Sequence, residues 1–371
     1  MRILILGDGG SSHIQKWVAG LLSKKFEIGL FSFHHFDPSH YPRDSAFAVL
    51  SNPAGRKAGS IWSKAGYFFY VGALKKALKK YNPNILHAHY ASSYGLIGML
   101  TGFQPFIISV WGADIYDFPQ ISPIHKFILK KTLSGAGYIC STSHCMKSET
   151  LLYTQKGIDV IPFGVGAEFL SVENGEESVI GDAKIRIIGT IKSLEDKYGI
   201  DFLIKAFAVV KKELKDCELR LLIVGDGSKK KALKELATKL GISQHVDFKG
   251  RVAHHEIAKM HRQIDVFVGL SVLDSESFGV SLVEAMACGK AVIVSDVEGY
   301  KEVLGDPPAG LIVSRKNSTQ AAQAISQLIR NPELAKTLGE SAARRVSENY
   351  RWDQSLDLME GVYRNIRDQK K

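Results

Sequence analysis

The sequence predicts an α/β protein made of two doubly wound, parallel-sheet domains. Short apolar runs alternate with helix-periodic segments along the whole chain, the pattern of parallel strands joined by crossover helices. The alternation breaks once, at the polar, acidic, glycine-bearing stretch 171–178 (Ser-Val-Glu-Asn-Gly-Glu-Glu-Ser), which reads as a linker. The two sides of that break echo each other as strand, glycine-rich turn, helix, strand. A chain of 371 residues also exceeds one ordinary core and suits two domains of about 150–200 residues. The expected division is residues 1–170, residues 180–350, and a terminal helix over 351–371 that packs back towards the first domain.

Element by element, the first half offers strands at Arg2–Leu6, Ile28–Phe33, Ile85–Ala88, Phe106–Val110, Tyr138–Ser141 and Asp159–Ile161. Helices fit between them at His13–Leu22, Gly66–Lys80, Ser93–Leu100, Pro123–Leu133 and His144–Tyr153. In the second half the strands are Ile185–Gly189, Leu219–Val224, Val246–Lys249, Val266–Leu270, Ala291–Ser295 and Gly310–Val313, and Trp352–Lys371 has helical period.

Composition narrows the class. Apolar residues make up 45% and charged residues 23%, as in an ordinary globular protein. The most apolar stretch, Ile85–Gly112, is broken by histidines, serines, glycines and Pro105, so no membrane span is predicted. The four cysteines form no Cys-x-x-Cys pair, which suggests neither a disulfide scaffold nor a zinc site and fits a reducing cytosol. The formal charge of +10 comes largely from lysine pairs suited to solvated helix faces. Ile61–Lys80 differs because it interleaves Trp62, Tyr67, Phe68, Phe69 and Tyr70 with lysines. Two readings stand for it: a helix packed on the sheet, or a peripheral contact with an anionic membrane surface. The basic residues are spread along the chain with no accompanying motif, so nucleic acid is not an expected partner.

Two turns, Gly7-Asp8-Gly9-Gly10 and Gly225-Asp226-Gly227-Ser228, follow strands and could let a backbone approach phosphate. Both lack the third glycine of a dinucleotide fingerprint, and the second strand ends near Phe33-His34 without an acidic residue for ribose. Nicotinamide chemistry is therefore disfavoured.

The richest stretch runs Ser275-Glu276-Ser277-Phe278-Gly279-Val280-Ser281-Leu282-Val283-Glu284-Ala285-Met286-Ala287-Cys288-Gly289. It reads as a loop that becomes a helix near Phe278–Gly279, with Leu282, Val283, Ala285 and Met286 inward and Gly289 as a left-handed terminus. Free amides at Ser277, Phe278, Gly279 and Val280 would attract an anion. Glu276 and Glu284 could each accept hydrogen bonds from vicinal sugar hydroxyls.

This Glu-x7-Glu block closely resembles the signature of the retaining family 4 glycosyltransferases of GT-B fold. Val266-Phe267-Val268, Glu298-Gly299-Tyr300-Lys301-Glu302, Val160-Ile161-Pro162-Phe163-Gly164-Val165, His87-Ala88-His89 and Trp111-Gly112-Ala113-Asp114 extend the likeness over nearly the whole chain. The resemblance implies two Rossmann-like domains facing a central cleft, with a C-terminal helix after the second. It implies that Glu284 holds the nucleotide ribose, Glu276 the donor sugar and Lys197 the diphosphate, while His89 lies near the reaction centre. Gly9 and Gly10 would approach the diphosphate, and Ser12, His13, Trp111 and Asp114 are acceptor-side candidates. The sequence departs from the family where Gly189-Thr190-Ile191-Lys192 lacks the usual Gly-Arg, and Lys192 is expected to substitute for that arginine. Trp111 and Gly166 replace a common histidine and a common aspartate.

The expected activity is metal-independent, retaining hexosyl transfer from a UDP- or GDP-sugar to a saccharide or lipid-linked acceptor hydroxyl, in cell-surface polysaccharide or glycolipid synthesis. No cofactor is expected, and the location is cytoplasmic or at the inner face of the cell membrane. No Asp-x-Asp occurs, which speaks against the metal-dependent GT-A class. A nucleotide-sugar 2-epimerase and a non-catalytic glycosyltransferase-like subunit remain as rivals.

Overall fold

The structure is a computed structural model that describes residues 1–53, 62–170 and 185–368. The chain divides into two compact units, the first comprising Met1–Pro162 with Leu356–Lys371 and the second Phe163–Ser355. The stretch 171–178 read as a linker lies outside the described residues, as do Ile61 and the side chains of Trp62, Lys64, Tyr67 and Phe68.

The first unit holds a seven-stranded parallel sheet of β1 (Arg2–Leu6), β2 (Glu27–Phe31), β3 (Phe47–Ser51), β4 (Ile85–His89), β5 (Phe106–Ser109), β6 (Tyr138–Ser141) and β7 (Ile158–Val160). Their spatial order is β3-β2-β1-β4-β5-β6-β7. The central strands are buried on both faces, which is why Ile3, Leu4, Ile5 and Leu6 read as one apolar run rather than as an alternation. The second unit holds β8 (Ile185–Ile191), β9 (Glu218–Val224), β10 (Val246–Gly250), β11 (Val266–Gly269), β12 (Ala291–Ser295) and β13 (Leu311–Val313), in the order β10-β9-β8-β11-β12-β13. Both sheets thus follow the Rossmann order, reversing direction between β1 and β4 and between β8 and β11. Ligands of such sheets bind at the strands' carboxyl ends, at that reversal.

Three sequence expectations change. β3 was not expected; it is an edge strand whose residues are half-exposed, so it lacks the apolar signature of its neighbours. The helix expected over Ser93–Leu100 is instead a π-helical turn, Ala91–Gly95, followed by a helix at Leu96–Thr101. The helix expected to end at Tyr153 ends at Thr150. In the helix Trp62–Tyr81, Tyr70 packs on Phe33 at 4.8 Å and Leu74 and Leu78 are buried, so that part lies on the sheet. No helix among the described residues is long and apolar enough to cross a membrane.

From Leu356 onward the helix Trp352–Asp368 belongs to the first unit. Its stripe of Leu356, Met359, Tyr363 and Ile366 is buried, at the i, i+3, i+7, i+10 spacing of one helical face. Tyr363 hydrogen-bonds Nδ1 of His87 at 2.7 Å and meets Phe26 edge-on, while Lys24 pairs with Asp357 and Glu360.

Candidate donor site and acceptor-side residues

In the second unit the reversal point is flanked by the carboxyl ends of β8 and β11. β8 leads into Lys192 and a segment ending in Lys197. β11 leads through Leu270 and Ser271 to Glu276 and the helix Val280–Ala287. A main-chain hydrogen bond from Val272 N to Lys197 O at 2.8 Å joins the two loops. The chain enters the helix at Gly279, whose φ of +80° is left-handed and where a Cβ would stand 2.5 Å from the Tyr300 ring. Gly299 lets the main chain of Glu276 come close, since a Cβ there would meet Glu276 O at 2.3 Å. Arg315 braces the loop from outside by pairing with Asp274 at 3.0 Å and Asp296 at 3.1 Å.

The sequence reading held Lys192 to be a phosphate-gripping substitute for arginine. The structure places its ammonium 2.7 Å from Glu276 Oε2, over the rings of Tyr198 (5.1 Å) and Tyr300 (5.9 Å). Both partners of this pair keep only 11% of their side-chain surface in contact with solvent. Ser271 Oγ lies 3.2 Å from the same carboxylate oxygen and 3.0 Å from the Tyr300 hydroxyl, whose pKa burial raises well above its ordinary value. Lys197 is half-buried with its ammonium over Tyr198 at 5.0 Å, and no carboxylate among the described residues pairs with it.

The helix Val280–Ala287 is more buried than a one-sided reading foresees: every residue from Ser281 to Ala287 is buried. The first intrahelical hydrogen bonds are made by the amides of Leu282 and Val283 to Gly279 O, at 2.9 and 3.1 Å, so the amides of Val280 and Ser281 stand ahead of them. Phe278 is a packing residue, meeting Phe163 and Tyr350 edge-on, so only its backbone can serve a ligand.

Two sequence profiles match the chain. That of group 1 glycosyl transferases covers residues 176–345, and a glycosyl transferase 4-like profile covers residues 2–143. The chain is a family 4 glycosyltransferase. An uncharacterized glycosyltransferase of Methanocaldococcus jannaschii is 28% identical over 97% of this chain and 95% of its own length. The N-acetyl-alpha-D-glucosaminyl L-malate synthase of Bacillus anthracis is 25% identical over 80% of this chain and 79% of its own. The GT-B fold is shared with sucrose-phosphate synthase from Thermosynechococcus elongatus (TM-score 0.83, 18% identity, 100% of both chains). It is also shared with Anabaena HepE in complex with UDP and glucose (TM-score 0.74, 18% identity, 98% of this chain and 100% of that one).

A residue of this glycosyltransferase that the sequence did not single out stands behind Glu284. His261, fully buried, points Nε2 at Glu284 Oε2 across 3.3 Å, and its Nδ1 has no hydrogen-bond partner. Its position on the inner face with Ala258 was the available signal, since one side of the helix Ile257–Gln263 is apolar. A carboxylate steered by an N–H holds one rotamer. His261→Phe is therefore expected to raise the donor KM about five- to tenfold, with His261→Gln, which keeps a donor near the Nε2 position, close to the parent. Steady-state kinetics with varied donor check this; equal KM values for all three proteins would exclude the steering role.

The Gly-x-Gly turns are explained within the glycosyltransferase itself. A Cβ at Gly225 (φ +139°) would lie 1.9 Å from Lys192 O, and one at Gly227 would lie 2.5 Å from Leu194 O. Those glycines press against the segment carrying the lysines. In the first unit Gly9 is buried, with a Cβ there 2.3 Å from Phe36, and its N–H reaches Ser32 Oγ at 3.2 Å. Gly10 is exposed. Packing against Phe36 by itself already requires a glycine at position 9.

At the reversal point of the first sheet, β4 ends at His89. Tyr90 follows with φ of +87°, a strained conformation for a non-glycine residue, and then comes the π-helical turn. His89 is 1% exposed, and neither ring nitrogen has a hydrogen-bond partner. Burial, and His87 beside it at 4.2 Å, hold its pKa well below the ordinary value. Trp111 lies 5.1 Å from His89 and meets His13 edge-on at 5.8 Å; Ser12, exposed, opens the adjoining helix. Asp114 does not belong to this group. It is fully buried and accepts hydrogen bonds from the amides of Ala91 (2.7 Å), Trp111 (3.1 Å) and Gly112 (2.9 Å). Its work is to clamp the loop, so the reading of Asp114 as an acceptor contact is corrected. Burial pushes its carboxyl up to about 6 against the pull of those amides.

Proposed function

We propose that this glycosyltransferase moves a hexosyl group from a UDP- or GDP-sugar to an acceptor hydroxyl with retention of configuration. The observation that carries the reading is the enclosed Lys192–Glu276 pair beside a helix N-terminus at the reversal point of the second sheet. A nucleoside diphosphate leaving group develops negative charge as the glycosidic bond breaks. Lys192, Lys197 and the amides of Ser277, Phe278, Gly279 and Val280, at and just ahead of the helix start, are placed to stabilise it, so the reaction needs no cofactor or metal in this reading.

Glu276 has a second task. With Lys192 it is charge-neutral at rest, and on donor binding the ammonium moves to phosphate oxygens while the carboxylate accepts sugar hydroxyls. Glu284, steered by His261, accepts the ribose hydroxyls. In the first unit His89 stays neutral and offers one donor and one acceptor nitrogen to a sugar hydroxyl, with His13, Trp111 and Ser12 lining the acceptor side. The solved HepE complexes contain UDP, UDP-glucose, or UDP with glucose, which supports a nucleotide-sugar donor here. A saccharide or lipid-linked acceptor, in polysaccharide or glycolipid synthesis at the cytoplasmic face of the membrane, fits the basic, partly apolar first unit.

Thermal melts with a panel of UDP- and GDP-sugars test the donor. One of them should raise the midpoint, because a ligand of the folded state stabilises it by mass action. Lys197→Ala should then lower kcat about 10²–10³-fold. Proton NMR of the product should show the donor's anomeric configuration. An inverted product, a donor epimer without transfer, or no stabilisation by any sugar nucleotide would overturn the reading.

A further inference from the structure

One face of the first unit is used by neither the donor site nor the acceptor-side residues. The helix Pro123–Gly135 buries Leu129, Thr132 and Leu133 and turns the opposite side outward. That outward side carries Ile124, 69% exposed, and Phe127, 60% exposed, with Ile121, 64% exposed, just before the helix. Lys126, Lys130 and Lys131 are exposed on the same helix, and Lys131 lies over the Phe127 ring at 5.6 Å. The turn after Thr150 joins the patch: Gln120 reaches the Tyr153 hydroxyl at 3.4 Å and Lys126 lies over the Tyr153 ring at 5.9 Å. Next to Tyr153, Leu152 is 65% exposed. Between Asp117 and Glu149 the sequence holds no acidic residue at all.

Large apolar side chains left in water beside three lysines, with Glu149 occupied by the Tyr153 hydroxyl at 3.4 Å, specify an occupant that is both apolar and anionic. A second copy of this chain fits poorly, because a two-fold contact would set the lysines of one face against the same lysines of the other. A bilayer containing acidic lipids supplies both properties: an acyl boundary for the apolar side chains and phosphates for the ammonium groups.

We propose that the face formed by Ile121, Ile124, Phe127 and Leu152 with Lys126, Lys130 and Lys131 docks this chain on an anionic membrane surface. The surface lies in the first unit alone and does not rest on the donor chemistry. It moves the membrane contact from Ile61–Lys80, where the sequence first suggested it, to the helix Pro123–Gly135.

Flotation of the full chain with vesicles tests this, using phosphatidylcholine alone and phosphatidylcholine mixed with phosphatidylglycerol. The parent should float only with the acidic mixture, and less at high salt. Phe127→Ser should lower the partition about tenfold, and Lys130→Glu with Lys131→Glu about 25-fold or more. All should keep the parent's thermal midpoint and its shift with sugar nucleotide. If Phe127→Ser proves unstable, Ile124→Asn, further out on the same face, serves in its place. Failure to float with acidic vesicles overturns the proposal, as does unchanged flotation of the folded variants. Self-association in light scattering that Phe127→Ser abolishes, without vesicle binding, would assign the face to a second copy instead. A lost sugar-nucleotide shift with intact flotation would count against the donor reading alone.

Discussion

Lys192→Met is expected to lower the free energy of unfolding by about 2–3 kcal/mol and kcat by about 10²–10³-fold, while adding Glu276→Gln restores most of the stability and none of the activity. The stability loss arises because the Glu276 carboxylate, only 11% exposed, keeps Ser271 Oγ but loses its counter-charge. Breaking a buried pair costs about 3–5 kcal/mol, and the figure is reduced here because each side chain keeps some contact with water. In the double variant nothing charged is stranded: the glutamine amide lies beside a thioether, and the tyrosine rings of Tyr198 and Tyr300 pack on an apolar chain. Activity follows another rule. The leaving phosphates need the ammonium and the sugar needs the carboxylate, so each single variant and the double should be similarly inactive. Urea melts and transfer assays on the four proteins form the cycle. Additive stability losses would mean that the pair is not coupled in solution, and the resting role assigned to it would go.

The same pair shows what the sequence could and could not disclose. The Glu-x7-Glu block announced a loop turning into a helix at Gly279, because a left-handed glycine and an apolar run are local features. That Lys192 closes on Glu276 is not local: the two are 84 residues apart, and only the neighbouring positions of β8 and β11 bring them together. Strands buried on both faces, such as β1 and β12, were legible to the residue, whereas the half-exposed edge β3 carried no comparable pattern. Glycines misled for a physical reason. A Gly-x-Gly turn looks the same in sequence whether the backbone approaches a phosphate or, as at Gly225, its own chain at Lys192. Asp114 misled similarly, since a carboxylate in a motif looks reactive until three amides are found pointing at it. His261 was missed because a lone histidine on an apolar helix face signals burial and does not disclose its partner Glu284.

Two histidines of the first unit should make it labile to acid. His87 and His89 are buried and neutral; burial lowers the pKa of His87 from 6.5 to about 3 and holds that of His89 well below 6.5. Below pH 6.5 the unfolded chain takes up protons at both positions and the folded chain does not, so stability present above 6.5 is lost as the pH falls. At pH 5 His87 can remove up to about 2 kcal/mol, and His89 adds to the loss in the same direction. Asp114 works in the opposite sense: with its folded pKa raised to about 6, it regains stability as the pH falls from 6 towards 3.8, by about 1 kcal/mol at pH 5. The net loss between pH 7 and pH 5 is expected to be at least about 1 kcal/mol, read from urea melts that follow the first unit.

The two histidines should respond differently to replacement. His87 is bonded at both nitrogens, to Tyr363 at 2.7 Å and Ser109 at 2.8 Å, so His87→Phe strands two buried hydroxyls and destabilises at every pH. His89 has neither nitrogen partnered, so His89→Phe removes two unsatisfied polar atoms and should be neutral or stabilising by about 1 kcal/mol at pH 7. It should also flatten the acid dependence by one proton's worth and abolish transfer. A gain in stability with a loss of activity is what a side chain kept for a ligand shows on removal. If His89→Phe instead destabilises the fold and leaves transfer intact, His89 is a packing residue and the acceptor contacts have to be sought elsewhere.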